Sequence, residues 1–257
     1  MKPNRNTVTM MGATTDRVPM SSQRKTSLVA GILYLLTFVS IPTLALYSAI
    51  HGAEYVMSAG PDTPAIIGGV LEIIVALCGI GTAIVLFPVL KKQNEAAALG
   101  LVAARILESA TIFVGVAFIL SIVSLRQVGV GAEALATSHA LVALYDRIFL
   151  LGQSFMPAIC DMLLGFLLYK SRLVPRTLAI IGIIGAPLLI IGYLAILFGV
   201  IDRISPLAGL AAVPVALFEF SLGVWLVVKG FISTPVIIAP VQNLFKLAAD
   251  ATGALKS

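Results

Sequence analysis

The chain of 257 residues is 59% hydrophobic and only 11% charged, and its formal net charge is +5. Soluble domains are usually about 45–50% apolar and about 25% charged, so this composition excludes soluble enzymes, nucleic-acid-binding proteins and disordered chains. The basic residues lie at the ends of apolar segments rather than in one patch, so the positive charge does not indicate nucleic-acid binding. Both cysteines, Cys78 and Cys160, lie inside apolar runs, which predicts reduced thiols packed as small hydrophobic residues.

A polar segment, residues 1–27, opens the chain and is predicted to be a cytoplasmic tail. Six apolar runs follow, and each can supply the roughly 20 residues that a helix needs to cross a hydrocarbon core of about 30 Å. Backbone groups inside a bilayer must be hydrogen-bonded within their own structure, and the sequence lacks the short alternating strands of a barrel. The predicted helical spans are residues 28–50, 65–90, 97–123, 144–169, 177–201 and 207–231.

The segments that connect the spans are short, and none is large enough to be a soluble domain. Residues 51–64 and 124–143 are predicted to be loops on the outer side, although the second half of the latter is compatible with a helix. Residues 232–257 are predicted to be a second cytoplasmic tail, part of which suits a short helix on the membrane surface. The transmembrane domain is therefore predicted to cover residues 28–231.

The distribution of basic residues predicts the orientation of the spans. Thirteen of the 17 lysines and arginines fall in the N-terminal tail, the second and fourth connecting segments and the C-terminal segment. The alternate connecting segments carry only Arg126 and Arg203. Because lysine and arginine are enriched in cytoplasmic loops, the chain is predicted to be an all-α, polytopic membrane helix bundle with six transmembrane helices and both termini cytoplasmic.

Five ionisable residues lie deep inside the predicted spans. They are Glu72 in the second span, Arg105 and Glu108 in the third, Asp161 in the fourth and Glu219 in the sixth. Each carboxylate shares a helix face with glycine, alanine, serine or threonine, so we expect it to face a neighbouring helix rather than lipid. Arg105 is three residues from Glu108 and at a similar depth to Asp161, so it can form an ion pair with either. Position within the spans predicts Glu108 and Glu219 near the midplane.

The charges of these residues do not balance. Four carboxylates and one guanidinium would leave a net charge of −3 if all were ionised. Ionised groups are costly in a desolvated site, so two or three carboxylates are predicted to be protonated, to share a proton or to hold a cation. One interpretation is a proton-linked or cation-linked site, and the other is a hydrogen-bond network that fixes helix packing.

Motifs for known catalytic classes are absent from the sequence. It contains no nucleophile-elbow, zinc-protease or phosphate-loop pattern, which argues against an enzyme of those classes. His51 and His139 are both predicted on the outer side, with no further ligands at the spacing of a metal or haem site. No metal and no cofactor are therefore predicted.

Four stretches of the sequence occur together in one family. They are RKT at 24–26 leading into AGILYLLTF at 30–38, ARILES at 104–109, YKSRLVPR at 169–176, and FEFSLGVWL at 218–226 followed by KG at 229–230. In this order they resemble the bacterial membrane proteins grouped as domain-of-unknown-function family 4386. The resemblance covers about residues 24–231 and implies a multi-pass protein of the bacterial inner membrane. It marks Arg105, Glu108 and Glu219 as recurrent features and assigns them no role.

Three functions remain open from the sequence. The first is a small transporter with Glu108 and Glu219 as proton or cation sites, Glu72 on the outer access path, and Arg105 with Asp161 at an inner gate. The second is a membrane scaffold, sensor or complex subunit whose buried charges are a packing network. The third is an intramembrane enzyme that acts on a lipid-soluble substrate through a water-filled cavity. The expected partners are the lipid bilayer, an unidentified small molecule or ion and, for the second function, another membrane protein.

Overall fold

The computed structural model describes residues 21–52, 55–128 and 132–232, and it contains helices and no strand in these ranges. Six helical segments are long and apolar enough to cross a membrane, which confirms the predicted all-α, six-span class. They are Ser22–Leu46, Thr63–Leu90, Glu95–Val128, Glu133–Ser171, Arg176–Leu197 and Pro206–Val228. Most of the two predicted tails lies outside the described residues.

Eight α-helices build these six spans. They are α1 (Ser22–Leu36), α2 (Thr43–Leu46), α3 (Thr63–Leu90), α4 (Glu95–Val128), α5 (Ala132–Phe149), α6 (Met156–Ser171), α7 (Arg176–Leu197) and α8 (Pro206–Val228). Polar side chains begin several of them: the Ser21 hydroxyl accepts a hydrogen bond from the Arg24 backbone N–H, and Ser205 caps α8 in the same way.

The first span is not one continuous α-helix. A 3₁₀ turn, Thr37–Ser40, separates α1 from α2 just before Pro42. Proline has no N–H to donate and its ring crowds the preceding turn, so Pro42 weakens the α-helical pattern at this position. The Thr37 hydroxyl donates to the Tyr34 carbonyl at 2.7 Å, which satisfies one of the backbone groups that the break leaves free.

The fourth span begins earlier than the sequence predicts. Residues 124–143 were expected to form a loop, but α4 continues to Val128 and α5 begins at Ala132. Alanine and leucine dominate the start of α5, and both favour the helix. Ala134 is buried with Ile122 and Val123, so packing against α4 stabilises this extension. A π-helical turn, Leu150–Phe155, then joins α5 to α6.

Spans that follow one another along the chain pack against each other, and α1 of the first span additionally packs against α8 of the last. The contact of α1 with α8 is close because two glycines meet there: a Cβ added at Gly31 would lie 2.7 Å from the backbone oxygen of Gly223. Arg24 at the start of α1 donates to the Leu226 carbonyl at 3.0 Å, so the start of α1 and the end of α8 lie at one end of the bundle. We call this end the basic end, because it carries Arg24, Lys91, Lys170, Arg176 and Lys229.

Two large apolar cores, accompanied by two smaller apolar clusters among the described residues, stabilise the bundle. The larger core lies toward the basic end and includes Leu86, Leu90, Leu101, Leu164 and Leu168, all at most 1% exposed. The second core lies toward the opposite end and includes Tyr47, Ile119, Ile122 and Tyr145. The intramembrane charged residues lie between these two cores.

Candidate functional site

Arg105 is the centre of a buried group of charged side chains from three helices. Its Nη1 lies 3.0 Å from Glu108 Oε2 on the same helix, α4. Its Nη2 lies 2.7 Å from Glu219 Oε1 on α8 and 3.8 Å from Asp161 Oδ1 on α6. The ion pairs with Glu108 and Asp161 that the sequence predicted are both present, and Glu219 adds a third. We call these four residues the central charge cluster.

The small-residue face of α3 makes room for Arg105. Ala76 and Gly79 are buried where α3 packs against α4, as their spacing from Glu72 predicted. A Cβ added at Gly79 would lie 3.9 Å from Arg105 Cδ, so the arginine side chain lies directly against this glycine. Ser109 donates a hydrogen bond of 2.8 Å to the Ala76 carbonyl and fixes the rotation of α4 relative to α3.

Two further residues contact the central charge cluster, and sequence reasoning assigned neither of them to a site. Arg105 Nη2 lies 3.4 Å from the Tyr34 hydroxyl oxygen, and the guanidinium carbon is 5.6 Å from the centre of the Tyr34 ring. Cys160 is a free, fully buried thiol, as predicted, but its Sγ also lies 3.5 Å from Glu108 Oε2. No spacing rule links positions so far apart, so only the packing of α1 and α6 against α4 brings these side chains to the arginine.

Asp161 is the least well satisfied member of the central charge cluster. It is fully buried, and neither carboxylate oxygen has a hydrogen-bond partner among the described residues. An ionised carboxylate in such a place is costly because no donor replaces its lost water. The three carboxylates and one guanidinium would have a net charge of −2 if all were ionised, so this cluster has room for a proton or another positive charge.

Glu72 belongs to a different group of side chains. It is fully buried, and its Oε1 accepts hydrogen bonds from the Tyr145 hydroxyl at 3.0 Å and from Gln153 Nε2 at 3.1 Å. The Tyr47 ring contacts Tyr145 edge to face, with 5.5 Å between ring centres. Tyr145 on α5 therefore lies beside Glu72 on α3, and the described contacts do not bring Glu72 to Arg105.

A cavity of about 390 Å³ ends at the central charge cluster. Arg105, Glu108 and Glu219 line its deep end, and the apolar and aromatic residues around it include Phe38 and Phe149. The cavity is lined by residues of α3, α4, α7 and α8, of the turn after α1 and of the π-helical turn. Its lining includes surface-exposed residues, among them Gly209, Ala216 and Ile41 (71% exposed), so it opens to the outside of the bundle.

Arg203 lines the cavity at the end opposite the basic end and is held by a carboxylate. Asp146 Oδ1 lies 2.9 Å from Arg203 Nη2 and 3.1 Å from His51 Nε2. The hydrogen bond to Asp146 raises the pKa of His51 from its ordinary value. The Arg203 guanidinium also lies over the Phe149 ring, 5.1 Å from its centre. The Asp146 carboxylate on α5 therefore binds both the segment that follows α2, through His51, and the α7–α8 loop, through Arg203.

A second polar contact at the same end joins α3 to α4. Asp62 Oδ1 lies 2.6 Å from Arg126 Nη2 and accepts a hydrogen bond of 2.7 Å from the Tyr55 hydroxyl. Gln127 donates to the other carboxylate oxygen at 3.0 Å. The hydrogen bond from Arg126 is the main cause that lowers the pKa of Asp62 to about 2. Burial is the main cause that raises the pKa of Tyr55 to about 12.

The two histidines lie in different surroundings. His139 is exposed on α5, and His51 binds Asp146 as described above. Within the described ranges no three histidine, cysteine or acidic side chains are grouped so that they could hold a metal ion.

Comparison with known proteins agrees with the resemblance that the sequence carries. The model of one family, Domain of unknown function (DUF4386), matches residues 29–230. No curated protein matches the chain. No solved structure matches it either. The family match runs from the first span through the sixth and includes every member of the central charge cluster, so the protein belongs to the DUF4386 family.

Proposed function

We propose that this multi-pass membrane protein is a proton- or cation-linked transporter of a small solute, with Glu108 and Glu219 as its ion sites. The observation that supports the proposal most directly is that the cavity ends on these two carboxylates. Intramembrane ionisable residues that face a cavity are typical of ion and substrate pathways. A packing network would not need an opening to the outside of the bundle.

Arg105 couples the ion site to the position of α8. That helix packs against α1, α6 and α7, while the Glu219–Arg105 ion pair reaches α4 across the cavity. A proton or a cation that binds Glu219 competes with the guanidinium for the same carboxylate. Its binding would weaken the link between α8 and α4, and its release would restore that link. Occupancy of the ion site would therefore alter how α8 is held.

Asp161 gives the central charge cluster its capacity for a positive charge. It adds a third carboxylate within 3.8 Å of the single arginine and has no other hydrogen-bond partner among the described residues. A bound proton or cation would reduce the net charge of the cluster from −2 toward neutrality. In this proposal Asp161 and Arg105 also face the apolar core at the basic end, where an inner gate would have to open.

The two ends of the bundle differ in a way that alternating access requires. The path from the cavity toward the basic end is filled by the larger apolar core, with Leu86, Leu101 and Leu164 almost completely buried. Toward the other end the cavity is bordered by Gln153, which binds Glu72, and by Arg203. If the basic end is cytoplasmic, as the sequence predicts, this conformation is closed toward the cytoplasm.

The test is ion flux in liposomes that contain the purified full chain and a pH-sensitive dye. A potassium diffusion potential, and separately a sodium gradient, would drive uptake by the wild type, by Glu108→Gln and by Glu219→Gln. Glu95→Gln is the matched control because Glu95 is exposed at the start of α4. We expect flux above protein-free liposomes in the wild type and the control, and loss of that flux in Glu219→Gln.

The same variants test the second candidate, a scaffold or complex subunit. One observation favours it: Arg105 joins α1, α4, α6 and α8 through Tyr34, Glu108, Asp161 and Glu219. Flux equal to protein-free liposomes in all proteins, with a lower folded yield in the two glutamine variants, would contradict transport and support this role. An enzyme has less support, because the Cys160 thiol beside Glu108 is fully buried and does not line the cavity.

A further inference from the structure

The hydrogen-bonding groups at the deep end of the cavity are arranged to accept rather than to donate. Both terminal nitrogens of Arg105 are already bound to carboxylates, Nη1 to Glu108 and Nη2 to Glu219. The third guanidinium nitrogen, Nε, has no partner among the described residues, but it is buried. Glu219 uses Oε1 for Arg105, and no described residue donates to its Oε2. Its side chain is 15% exposed, so part of this carboxylate is accessible from the cavity. An incoming anion would find both terminal nitrogens of the guanidinium already bound to carboxylates, whereas a cation would find acceptor oxygens.

The positive charge nearer the opening is also occupied. Arg203 is bound to Asp146 at 2.9 Å, and Asp146 binds His51 as well. The two arginines that line the cavity are therefore each paired with a carboxylate. Asp161 adds a further carboxylate behind Arg105, without a hydrogen-bond partner among the described residues, so the electrostatic balance at the deep end favours a positively charged ligand.

The rest of the cavity suits an apolar body. Phe38, Phe149 and Tyr193 contribute aromatic side chains, and Ile112 and Leu189 contribute aliphatic ones. Aromatic faces attract cations as well as apolar surface, and a cavity of about 390 Å³ is in the range that holds a small organic molecule. A hydrated metal ion would leave these side chains without a partner, whereas an organic cation would contact them.

The opening lies between two spanning segments. On the basic-end side of the 3₁₀ turn α1 and α8 pack closely at Gly31 and Gly223, and within the turn Phe38 contacts Phe220 of α8 edge to face. Beyond that turn the cavity is lined by Ile41 on one side and by small residues of α8, such as Ala212 and Ala216, on the other. A molecule partitioned into the bilayer can reach an opening in this position without first crossing a polar surface.

We infer that the substrate class of the proposed transporter is an amphipathic organic cation, bound with its charge at Glu219 and Glu108 and its apolar body between α8 and the aromatic residues of the cavity. This inference rests on the proposed function in so far as the bound cation is called a transported substrate. The binding site itself does not require transport.

The experiment measures binding of benzyltrimethylammonium to the full chain in lipid nanodiscs, by titration calorimetry and by the shift of the thermal unfolding midpoint. Neopentylbenzene has the same shape without the charge, and benzoate has the opposite charge. We expect the cation to bind and to raise the unfolding midpoint of the protein above that of the ligand-free protein, and we expect neither comparison compound to displace it.

Three variants locate the site. Glu219→Gln should weaken binding of the cation at least about tenfold, because a charged partner is lost. Ala216→Phe fills the cavity and leaves the charged side chains unchanged, so it should abolish binding even if Glu219→Gln does not fold. Glu95→Gln should bind as the wild type does.

Two results would overturn the inference. One is displacement of benzyltrimethylammonium by an equal concentration of neopentylbenzene, which would indicate a neutral apolar ligand. The other is unchanged affinity in Ala216→Phe. Binding of the cation without ion flux in liposomes would support the site and contradict transport, whereas flux without binding would contradict the site alone.

Discussion

Glu219 on α8 and Arg105 on α4 form an ion pair of 2.7 Å across the cavity. Their helices are not close-packed neighbours, so this pair differs from ion pairs that form at the edge of an existing contact between two helices. One carboxylate serves both as a structural tie between two helices and as an accessible charge. A ligand that binds it must therefore act on the structure as well as on the charge.

Arg105→Gln should strongly destabilise the folded protein, because it leaves Glu108, Asp161 and Glu219 without their common cation. Removal of one partner from a buried ion pair typically costs about 3–5 kcal/mol. The thermal unfolding midpoint in nanodiscs measures the effect, with Arg147→Gln as the control because Arg147 is exposed on α5.

The double variant Arg105→Gln/Asp161→Asn should recover part of the stability that Arg105→Gln loses. Asp161 makes no hydrogen bond with the described residues, so its neutralisation removes a charge and costs little bonding. Equal stability of the single and double variants would contradict the view that the uncompensated charge of Asp161 causes the loss.

Gly31→Ala should destabilise the contact between α1 and α8. The new methyl group would lie 2.7 Å from the backbone oxygen of Gly223, and neither backbone can move without shifting a span. Overpacking of this kind typically costs about 1–3 kcal/mol. Gly209→Ala is the matched control, because a Cβ there has no neighbour within 4 Å. The two variants should separate clearly in thermal unfolding, and equal midpoints would exclude close packing at Gly31.

His51 should make stability depend on pH near neutrality. Its pKa is raised in the folded state by Asp146, so the folded protein binds this proton more tightly than the unfolded chain does. The contribution is fully present below the unfolded value of about 6.5 and is lost as the pH rises through the folded value. Arg203, which also contacts Asp146, opposes the shift. Unfolding midpoints measured between pH 6 and 8 should fall in the wild type and stay flatter in His51→Gln, whereas parallel profiles would rule out this contribution.

Asp62 should stabilise the folded protein at neutral pH and lose this contribution as the pH falls, which is opposite to the effect of His51. Its pKa is about 2 in the folded state because Arg126 donates to it. The contribution is present above the ordinary value of about 3.9 and is lost as the pH falls toward 2. Acid unfolding followed by circular dichroism should show this loss in the wild type and a smaller one in Asp62→Asn. Asp202→Asn, in the α7–α8 loop, should behave as the wild type.

The sequence predicted the features that depend on local spacing. Run length and apolarity were enough for six spans, and the separation of three residues was enough to pair Arg105 with Glu108. The small residues beside Glu72 correctly indicated a packed face of α3. In each case the relevant information lies within one helix, where periodicity determines which residues share a face.

Features that depend on how helices are rotated against each other could not be predicted. Tyr34 reaches Arg105, and Tyr145 reaches Glu72, only because α1 and α5 present particular faces to their neighbours. The cavity likewise results from the separation of α8 from α4, which no single span encodes. Residues 132–143 were recognised as compatible with a helix, but they were assigned to the loop because their hydropathy is lower than that of the spans.

The pairing of Arg105 with Glu108 inside one helix has a consequence for how the protein is made. Ribosomes synthesise α4 before α6 and α8, so at that stage the partners on the later helices do not yet exist. During insertion the arginine already has a counter-ion one turn away, which lowers the cost of placing it in lipid. Glu219 arrives with the last span, and the final ion pair can form only when the whole bundle has been translated.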